Sequence, residues 1–467
     1  MLNSAIKGYS TEIVFPFIRE LFSIVYFAFM NPKKVCVIGA GPSGITAAKN
    51  LLDEGLTVVV YDLGEEVGGN WVFTDKVGHS SVFETTHIIS SRTLSQYDDF
   101  PMPENYPDYP SHRHLAHYFK NYAQHFQLYP HIRFKTMVKQ CDRLEDGRWR
   151  VVSECDGVED SQVFDALAVC NGHHWQPRMP SYDGTFNGEF IHSHEVKRFS
   201  RFADKRVLVI GGGNSACDVA VESSRVARSV DLSWRRGYWV APKFMMGKPA
   251  DVFSTKIHWL PRKLWQKVSA LSLFIRNGKN SDYGLPNPEG PLGSHHPTIN
   301  EDLFYTIRHG KINPRPDIAS LDGDHVTFKD GSRGQYDIIV ACTGYVIAHP
   351  FFQKSMIDYS QGEVPLWLRM MHPEMDNLYF IGLFQPLGCI WPGSELQSKI
   401  MARELSGKWK RPSNIRNYID RELRRPDFHQ INTPRHTITV DYHRFRKRLL
   451  EQLPSDYIRT EVAQPIA

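Results

Sequence analysis

The fold is decided by KVCVI at Lys34–Ile38 and by the six residues that follow it, GAGPSG at 39–44. The apolar, β-branched run is typical of a strand that is buried on both faces. Apolar residues then recur at helical spacing over 45–54, and a second strand, TVVVY at Thr57–Tyr61, ends on Asp62. Strand, glycine turn, helix and strand in this order predict a β-α-β unit that binds a dinucleotide.

The same design returns in the second half of the chain. RVLVI at Arg206–Ile210 precedes the turn GGGNSA at 211–216, and a helical pattern and a strand follow. The two turns begin 172 residues apart. Two further segments, DALAVCNG at 165–172 and DIIVACTG at 337–344, resemble each other and are separated by the same interval, and we call them the two echoes. We therefore predict an α/β fold with two Rossmann-like dinucleotide-binding domains, the second inserted into the first.

The first turn carries the residues that the phosphates of a dinucleotide require. Gly39 permits the tight turn, Gly41 lets the backbone approach a pyrophosphate, and Gly44 lets the helix pack on the strand. Asp62, 18 residues past Gly44, can accept hydrogen bonds from a ribose diol. GGNW at 68–71 resembles the second phosphate-proximal loop of FAD-binding domains, with its tryptophan either against the flavin or in the core. The predicted FAD-binding residues are therefore Gly39, Ala40, Gly41, Pro42, Ser43, Gly44, Asp62, Gly69, Asn70 and Trp71.

The second turn points to a different nucleotide. Gly211, Gly213 and Ala216 repeat the pyrophosphate pattern, but SWRRG at 233–237 has no acid where the first unit has its aspartate. A carboxylate would repel a 2′-phosphate, whereas a guanidinium binds it through two hydrogen bonds. NADPH is therefore favoured, although Asp231 keeps NADH open as an alternative. The predicted NADPH-binding residues are Gly211, Gly213, Asn214, Ser215, Ala216, Ser233, Arg235 and Arg236.

Further motifs between about residue 33 and about residue 412 resemble those of the flavin-containing monooxygenases, the class B flavoproteins that oxygenate soft nitrogen or sulfur nucleophiles. These motifs are CNGHH at 170–174, FNGEFIH at 186–192, HPTIN at 296–300, CTGY at 342–345, GLFQPLG at 382–388 and ELQ at 395–397. The resemblance implies FAD and NADPH as cofactors, and molecular oxygen and a small amine or sulfide as reaction partners. In that family, oxygen adds to reduced FAD as a 4a-hydroperoxide, and the nucleophile takes the distal oxygen atom. On the same basis Val138, Thr343 and Gly344 join the predicted FAD site.

The chain departs from the family pattern near the expected reaction centre. The aromatic residue that normally closes the linker fingerprint is replaced by Val196, and the active-site asparagine beside the flavin falls on Ile89. Loss of a buried hydrogen-bond donor there leaves two outcomes open, because Ser90 or Ser91 could replace it or the adduct could decay to hydrogen peroxide. The residues predicted to be catalytic are Ser90, Ser91, Asn214 and Gln385.

Several functions remain open on the sequence. The leading hypothesis is an NADPH- and oxygen-dependent monooxygenase that acts on nitrogen or sulfur. A Baeyer–Villiger monooxygenase or an uncoupled NADPH oxidase on the same scaffold is the second hypothesis. A nucleotide-binding protein without turnover is the third. A homodimer is compatible with each of them.

Five segments are predicted along the chain. They are an apolar N-terminal extension at 1–32, the first part of the FAD domain at 33–180, the inserted NADPH domain at 181–325, the second part of the FAD domain at 326–412, and a helical tail at 413–467. Residues 13–30 of the extension are almost wholly apolar. They are interpreted as a helix packed on the protein or making peripheral membrane contact, as a marginal membrane span, or as a signal peptide.

Composition excludes several other classes of protein. The 467 residues, 41% of them apolar and 23% charged, are typical of a soluble globular protein with two or three domains. A net charge of +4 does not suggest a nucleic-acid partner. The seven scattered cysteines contain no CxxC pair, so no metal site or dithiol centre is predicted. Their odd number is typical of reduced thiols, which favours a cytoplasmic location, with membrane association as the alternative.

Overall fold

The structure, a computed structural model, describes residues 32–76, 79–257, 259–424 and 437–454. The apolar segment at 13–30 and its three interpretations lie outside the described residues. Within those ranges no helix is both long and apolar enough to cross a membrane. The helices are α1 Pro42–Asp53, α2 Arg92–Ser95, α3 His112–His125, α4 Asn214–Ser223, α5 Ala250–Ile257, α6 Arg262–Asn277, α7 Leu303–Arg308, α8 Trp391–Leu405, α9 Ile415–Arg424 and α10 Tyr442–Leu450.

The strands fall into two large parallel sheets and several smaller sheets. In chain order they are β1 Lys34–Ile38, β2 Thr57–Tyr61, β3 Ile132–Arg133, β4 Thr136–Arg143, β5 Trp149–Cys155, β6 Val158–Phe164, β7 Ala166–Val169, β8 Gln176–Pro177, β9 Asp183–Phe186, β10 Glu189–His192, β11 Arg206–Ile210, β12 Ser229–Ser233, β13 Val240–Ala241, β14 Phe244–Met245, β15 Lys248–Pro249, β16 Thr298–Ile299, β17 Asn313–Arg315, β18 Ile318–Gly323, β19 His325–Phe328, β20 Arg333–Gln335, β21 Ile338–Ala341, β22 Tyr345–Val346, β23 Leu378–Phe380, β24 Gln385–Pro386 and β25 Thr439–Val440.

The first parallel sheet has the strand order β23-β7-β1-β2-β3. Its strand β1 is buried on both faces, as the sequence predicted. Val35 and Val37 belong to the core that contains α1, whereas Cys36 and Ile38 belong to the core that contains the antiparallel β4-β5-β6 sheet. This sheet therefore has a hydrophobic core on each side, as parallel sheets require.

The second parallel sheet has the order β10-β21-β11-β12-β17 and repeats the first. It confirms the predicted α/β class with two Rossmann-like units. The boundary predicted at 325/326 is wrong, however, because β19, β20 and β21 all pair within the second unit. The reason lies in the repeat itself, since the echo at 337–344 corresponds to the one at 165–172 and belongs to the second copy.

The two echoes perform the same task in the two units. The Asp165 carboxylate accepts a hydrogen bond from the Lys34 backbone N–H at 2.7 Å, and the Asp337 carboxylate accepts one from the Arg206 backbone N–H at 2.7 Å. Each acid thus ties the start of its own glycine-turn strand to the neighbouring strand. The linkers between the units, β8 outward and β22 on return, lie side by side as an antiparallel pair.

Candidate functional site

The first glycine turn is packed tightly against the strand beside it. Gly39 has a φ of +105°, and a Cβ on it would lie 2.7 Å from the Cys170 carbonyl oxygen. A Cβ on Gly44 would lie 1.8 Å from the Gly39 carbonyl oxygen, which is far inside van der Waals contact. Both positions therefore require glycine if the turn is to keep this shape.

The same turn is open where a phosphate would approach. The helix α1 starts immediately after Gly41, and no side chain caps its N-terminus. A Cβ on Gly41 would meet only Gly69, at 3.6 Å from its Cα, so the 68–71 loop lies beside the turn. Free N–H groups at a helix N-terminus next to bare glycine backbone bind phosphate oxygens. The residues present therefore fit the pyrophosphate of a dinucleotide.

The acid at the end of β2 is part of the turn. The Asp62 carboxylate accepts a hydrogen bond from the Gly64 backbone N–H at 2.6 Å and another from the Ala40 backbone N–H. Burial raises the pKa of Asp62, and these two backbone hydrogen bonds oppose that rise. Each carboxylate oxygen has further acceptor capacity, so a ribose diol can bind beside the two N–H donors.

The 68–71 loop connects the turn to the core. The Gly68 N–H donates to the Ala40 carbonyl oxygen at 3.0 Å, and the Asn70 carbonyl oxygen accepts from Val82 at 2.9 Å. The Trp71 ring packs edge-on against Trp391, with centroids 5.5 Å apart, and the Trp71 side chain is half-buried. Trp71 thus packs at the edge of the core of the first unit.

The three residues assigned to FAD by resemblance lie in two different parts of the structure. Val138 lies in β4 at a bulge, and its side chain is buried in the core on that side of the first parallel sheet. Thr343 and Gly344 directly follow Cys342, whose carbonyl oxygen faces Gly211 of the second turn. The Thr343 hydroxyl donates to the Arg178 carbonyl oxygen at 2.5 Å and thereby joins the two linkers.

The second glycine turn has the same shape as the first, except that one position accepts alanine in place of glycine. Gly211 has a φ of +129°, and a Cβ on it would lie 2.6 Å from the Cys342 carbonyl oxygen. Ala216, at the position equivalent to Gly44, is completely buried in the core, so this turn accommodates a methyl group there. Gly213 precedes α4 without a side-chain cap, which again leaves backbone N–H groups for phosphate.

The HPTIN segment holds this second turn in place. The Thr298 hydroxyl donates to the Gly212 carbonyl oxygen at 2.7 Å, and the Ile299 N–H donates to Asn214 Oδ1 at 2.7 Å. Asn300 continues the series one helical turn on, because its amide donates to Asp218 at 2.9 Å. The sequence matched this segment only as a family motif. Its structural role, and the commitment of the Asn214 oxygen to it, were not predicted.

The residues after β12 are available to a phosphate. The Ser233 hydroxyl is buried and donates to the Pro316 carbonyl oxygen at 2.7 Å. Arg235 is exposed and Arg236 is half-buried, and neither guanidinium forms an ion pair with a described residue. Two unpaired guanidinium groups at the end of this strand fit the 2′-phosphate of NADPH.

Asp231, the residue that kept NADH open, is fully engaged inside the second unit. Its side chain is only 7% exposed and pairs with Arg315 at 2.7 Å. It also accepts hydrogen bonds from the Asn313 amide at 3.0 Å and the Tyr336 hydroxyl at 2.6 Å. A carboxylate with three internal donors is a structural group, so the NADH alternative loses its supporting residue.

The loop that carries Ile89 distinguishes the two candidate serines. The Ser90 hydroxyl is hydrogen-bonded to Ser95 at 2.8 Å. The Ser91 hydroxyl is buried and has no partner among the described residues, while the Ser91 N–H donates to Asp251 Oδ2 at 2.6 Å. Ile89 itself is half-buried. The loop is thus held by the inserted unit, and one hydroxyl in it is unsatisfied.

Gln385 brings three of the family-like motifs together. His173 of CNGHH donates through Nε2 to the Gln385 side-chain oxygen at 3.3 Å. His296 of HPTIN lies 3.3 Å from the carbonyl oxygen of Pro386, the next residue after Gln385. Burial lowers the pKa of His173, and the hydrogen bond with Gln385 partly offsets this. The arrangement keeps the His173 imidazole neutral at physiological pH.

The ELQ segment packs behind the first turn, and its detailed role was also missed. Gln397 accepts from the Gly382 N–H at 2.9 Å, and Ser394 is 3.0 Å from the Ser43 hydroxyl. Glu395 is fully buried and accepts from the Asp98 N–H at 2.7 Å. Burial raises the pKa of Glu395 to about 7, although Lys399 pairs with it.

Val196, where the linker fingerprint lacks its aromatic residue, is completely buried in the core of the second unit. The residues after it form a polar contact with the first unit. The Lys197 carbonyl oxygen accepts from the Glu84 N–H at 3.0 Å, and Arg198 pairs with Asp75 at 2.8 Å. The segment therefore still connects the two units without the aromatic residue.

Comparison with known proteins decides the family. The model of the flavin-binding monooxygenase-like family matches residues 32–455. The chain is 35% identical over 434 residues to flavin-containing monooxygenase 5 of Mus musculus, which covers 88% of this chain and 81% of the relative. This chain belongs to the flavin-containing monooxygenase family. It is also 36% identical over 403 residues to dimethylaniline monooxygenase (N-oxide-forming) 2 of Oryctolagus cuniculus, covering 82% of this chain and 75% of the relative.

As a flavin-containing monooxygenase the chain is an oxidoreductase that uses FAD and NADPH, as the two turns predicted. Its fold resembles that of S-allyl-L-cysteine S-oxygenase from Allium sativum, with a TM-score of 0.67, 22% identity, and coverage of 93% of this chain and 92% of that one. It also resembles cyclohexanone monooxygenase, with a TM-score of 0.68 at 14% identity, and coverage of 90% and 97%. These two likenesses concern the fold alone. Among the described residues no cluster of potential metal ligands occurs.

Proposed function

We propose that this flavin-containing monooxygenase uses NADPH and molecular oxygen to add one oxygen atom to a soft nitrogen or sulfur atom of a small molecule. The balance is NADPH, a proton, oxygen and substrate giving NADP⁺, water and the N- or S-oxide. The choice of NADPH rests on the pairing of Asp231 with Arg315 at 2.7 Å. Because Asp231 is occupied by this pair, the charged side chains available at the nucleotide end of β12 are Arg235 and Arg236.

The chain's own residues bind and orient in this reaction. FAD supplies the electron transfer and the chemistry with oxygen when bound. The open N-terminus of α1 and Asp62 hold the FAD pyrophosphate and ribose. The N-terminus of α4 holds the NADPH pyrophosphate, with HPTIN keeping the turn rigid. We also assign Thr343 and Gly344 to the second nucleotide, because they directly follow Cys342, the residue whose carbonyl oxygen faces Gly211.

Ser91 is proposed as the hydrogen-bond donor that compensates for Ile89. Its hydroxyl is buried without a partner in the described structure, whereas the Ser90 hydroxyl is occupied by Ser95. A buried hydroxyl left unsatisfied costs about 1–3 kcal/mol, so a polar acceptor brought by the reactants would be bound favourably. The proposal therefore selects one of the two serines predicted from the sequence.

An uncoupled NADPH oxidase is the second candidate, and Ile89 is the observation that favours it. An alkyl side chain cannot donate a hydrogen bond to reduced oxygen. If Ser91 does not supply one, reduced oxygen leaves as hydrogen peroxide. The two candidates differ in the ratio of peroxide formed to NADPH consumed.

The test measures NADPH and oxygen consumption against a panel of amines, sulfides and ketones, with peroxide and oxygenated product quantified together. We expect an N- or S-oxide in near-stoichiometric yield with at least one amine or sulfide. Ser91→Ala is expected to raise the peroxide fraction, and Ser90→Ala serves as the matched control with little change. If every NADPH yields peroxide throughout the panel, the oxidase candidate replaces the monooxygenase, and product from ketones alone would identify a Baeyer–Villiger enzyme.

A further inference from the structure

The inserted unit contributes one acid to the loop that carries Ile89 and Ser91. Asp251, in the first turn of α5, accepts a hydrogen bond through Oδ2 from the Ser91 backbone N–H at 2.6 Å. Its other oxygen, Oδ1, accepts from the Val252 N–H at 2.8 Å. Hydrogen bonds to a carboxylate are about twice as strong as those between neutral groups. The helix α5 also lies against α2, which starts directly after Ser91.

The Ser91 side chain takes no part in holding its own helix. Ser91 is the N-cap residue of α2, a position at which a serine hydroxyl ordinarily accepts from a backbone N–H of the first turn. Here the side chain forms no such bond, and the hydroxyl is buried without a partner among the described residues. The position of Ser91 is therefore set through its backbone, where Asp251 binds.

The segment beside this loop is also held by the inserted unit. The Arg92 N–H donates to the Asp108 carbonyl oxygen at 2.7 Å. The next residue, Tyr109, packs its buried ring edge-on against Phe244, with centroids 5.2 Å apart, and its hydroxyl donates to the Lys243 carbonyl oxygen. The inserted unit therefore contacts both the loop and the segment to which the loop is bonded.

Lys243 connects Asp251 to the second glycine turn. The Lys243 carbonyl oxygen accepts from the Ala250 N–H at 2.8 Å, and the Lys243 N–H donates to the Glu301 carboxylate at 2.8 Å. Glu301 directly follows HPTIN, the segment that is bonded to the second turn, and it also pairs with Arg276. Asp251 is thus placed by the framework that surrounds the nucleotide-binding turn of the inserted unit.

We propose that Asp251 is a positioning residue for oxygen transfer: by holding the Ser91 backbone it fixes the Ser91 hydroxyl, so the inserted unit completes the reaction centre of the first unit. The inference rests on the proposed role of Ser91. When that hydroxyl is displaced, NADPH, a proton and oxygen give NADP⁺ and hydrogen peroxide, and the substrate stays unoxidised. Asp251 therefore controls the fraction of reducing equivalents that reaches the substrate, and not the binding of NADPH.

The test compares Asp251→Ala and Asp251→Asn in the full-length holoenzyme, with methyl phenyl sulfide as the probe substrate. Hydrogen exchange at the Ser91 amide, followed by mass spectrometry of peptides from 86–95, should become about tenfold faster or more in Asp251→Ala. The peroxide fraction should rise to that of Ser91→Ala, with the KM for NADPH unchanged. Asp251→Asn should lie between the alanine variant and wild type, because its amide oxygen still accepts from the Ser91 N–H.

Two further variants make the test specific. In the Ser91→Ala background, Asp251→Ala should not raise the peroxide fraction again, because both changes remove the same hydroxyl from its place. The matched control is Asp330→Ala, which removes another acid of the inserted unit that accepts a backbone N–H, that of Ser332 at 2.9 Å. It should leave Ser91 exchange and the peroxide fraction unchanged. The flavin spectrum verifies folding, and Asp251→Asn carries the comparison if Asp251→Ala loses its flavin.

Unchanged exchange at Ser91 in the Asp251 variants would overturn the inference, whatever the enzyme oxidises. Faster exchange with an unchanged peroxide fraction would also overturn it, provided that Ser91→Ala does uncouple the enzyme. An equal response of Asp330→Ala, or additive effects of Asp251→Ala and Ser91→Ala, would do the same. If the wild type forms peroxide alone across the panel of amines, sulfides and ketones, the proposed function fails. Exchange that is faster in the Asp251 variants alone would then still support the positioning of Ser91.

Discussion

The two glycine turns share one backbone plan but differ in what they tolerate. In the first turn a methyl group at position 44 would lie 1.8 Å from a carbonyl oxygen, while in the second turn Ala216 occupies the equivalent position. The first strand pair ends on Asp62, which is bonded into its turn, and the second ends on Ser233 followed by two arginines. The comparison teaches that the packing of the turn and the choice of nucleotide are set by separate residues.

Gly44→Ala is expected to have the largest effect. Its methyl group must displace the turn or the start of α1, and overpacking of this kind costs about 1–3 kcal/mol or more. We expect loss of bound FAD and a clearly lower Tm, measured by flavin absorbance and thermal unfolding. The counterpart Ala216→Gly should cost only about 1 kcal/mol and leave FAD bound. Equal effects of the two changes would contradict the difference between the turns.

Arg235→Ala/Arg236→Ala tests the nucleotide end of the second unit. Loss of charge-assisted hydrogen bonds worth about 1.5–3 kcal/mol should lower kcat/KM for NADPH by about ten- to 150-fold. The value for NADH should change little, because NADH has no 2′-phosphate. Arg228→Ala, another exposed arginine of this unit, is the control. A parallel fall for both nucleotides would remove the arginines from 2′-phosphate recognition.

Asp231→Asn separates a structural acid from a ribose-binding acid. Breaking the pair with Arg315 should lower the free energy of unfolding by about 1–3 kcal/mol, measured by urea denaturation. The ratio of kcat/KM for NADPH and NADH should remain the same. Its counterpart in the first unit, Asp62→Asn, should instead weaken FAD retention. A selective loss of activity with NADH in Asp231→Asn would instead support the alternative that Asp231 binds the ribose of NADH.

Asp337→Asn is expected to have the smallest effect on stability, and that effect should depend on pH. Hydrogen bonds from Arg206 lower the pKa of Asp337 to about 2, so its folded-state pKa is below the usual value of 3.8. The stabilisation is therefore present above about pH 4 and is lost as pH falls from about 4 to 2. Because the pair is partly exposed, Asp337→Asn should cost only about 1 kcal/mol at neutral pH. A Tm difference between wild type and variant that is as large at pH 2 as at pH 7 would contradict this assignment.

Local sequence patterns predicted the fold because they coincide with local structure. The strands around both glycine turns alternate between two cores, and the echoes at 165–172 and 337–344 lie at equivalent strand ends. The domain boundary predicted at 325/326 was wrong because the second echo contains β21, which pairs with β10 and β11 in the second sheet. The matching spacing of 172 residues was the signal that could have corrected it.

The site was less predictable because its side chains are held by residues distant in sequence. No pattern near Asp231 indicates that Arg315, Asn313 and Tyr336 converge on it. Likewise, the preference for Ser91 over Ser90 depends on Ser95 and on Asp251 from the inserted unit. Such contacts follow from the tertiary fold and not from spacing along the chain.

The strand order has a consequence for synthesis on the ribosome. Every strand of the second sheet lies between β10 and β21, so that sheet can close as soon as residue 341 has emerged. The first sheet must wait for β23, at residues 378–380, although its first strand is made at residue 34. Domains generally fold as units during synthesis. The later-encoded NADPH unit is thus complete before the earlier-encoded FAD unit, which must keep its exposed β7 edge from mispairing until its last strand arrives.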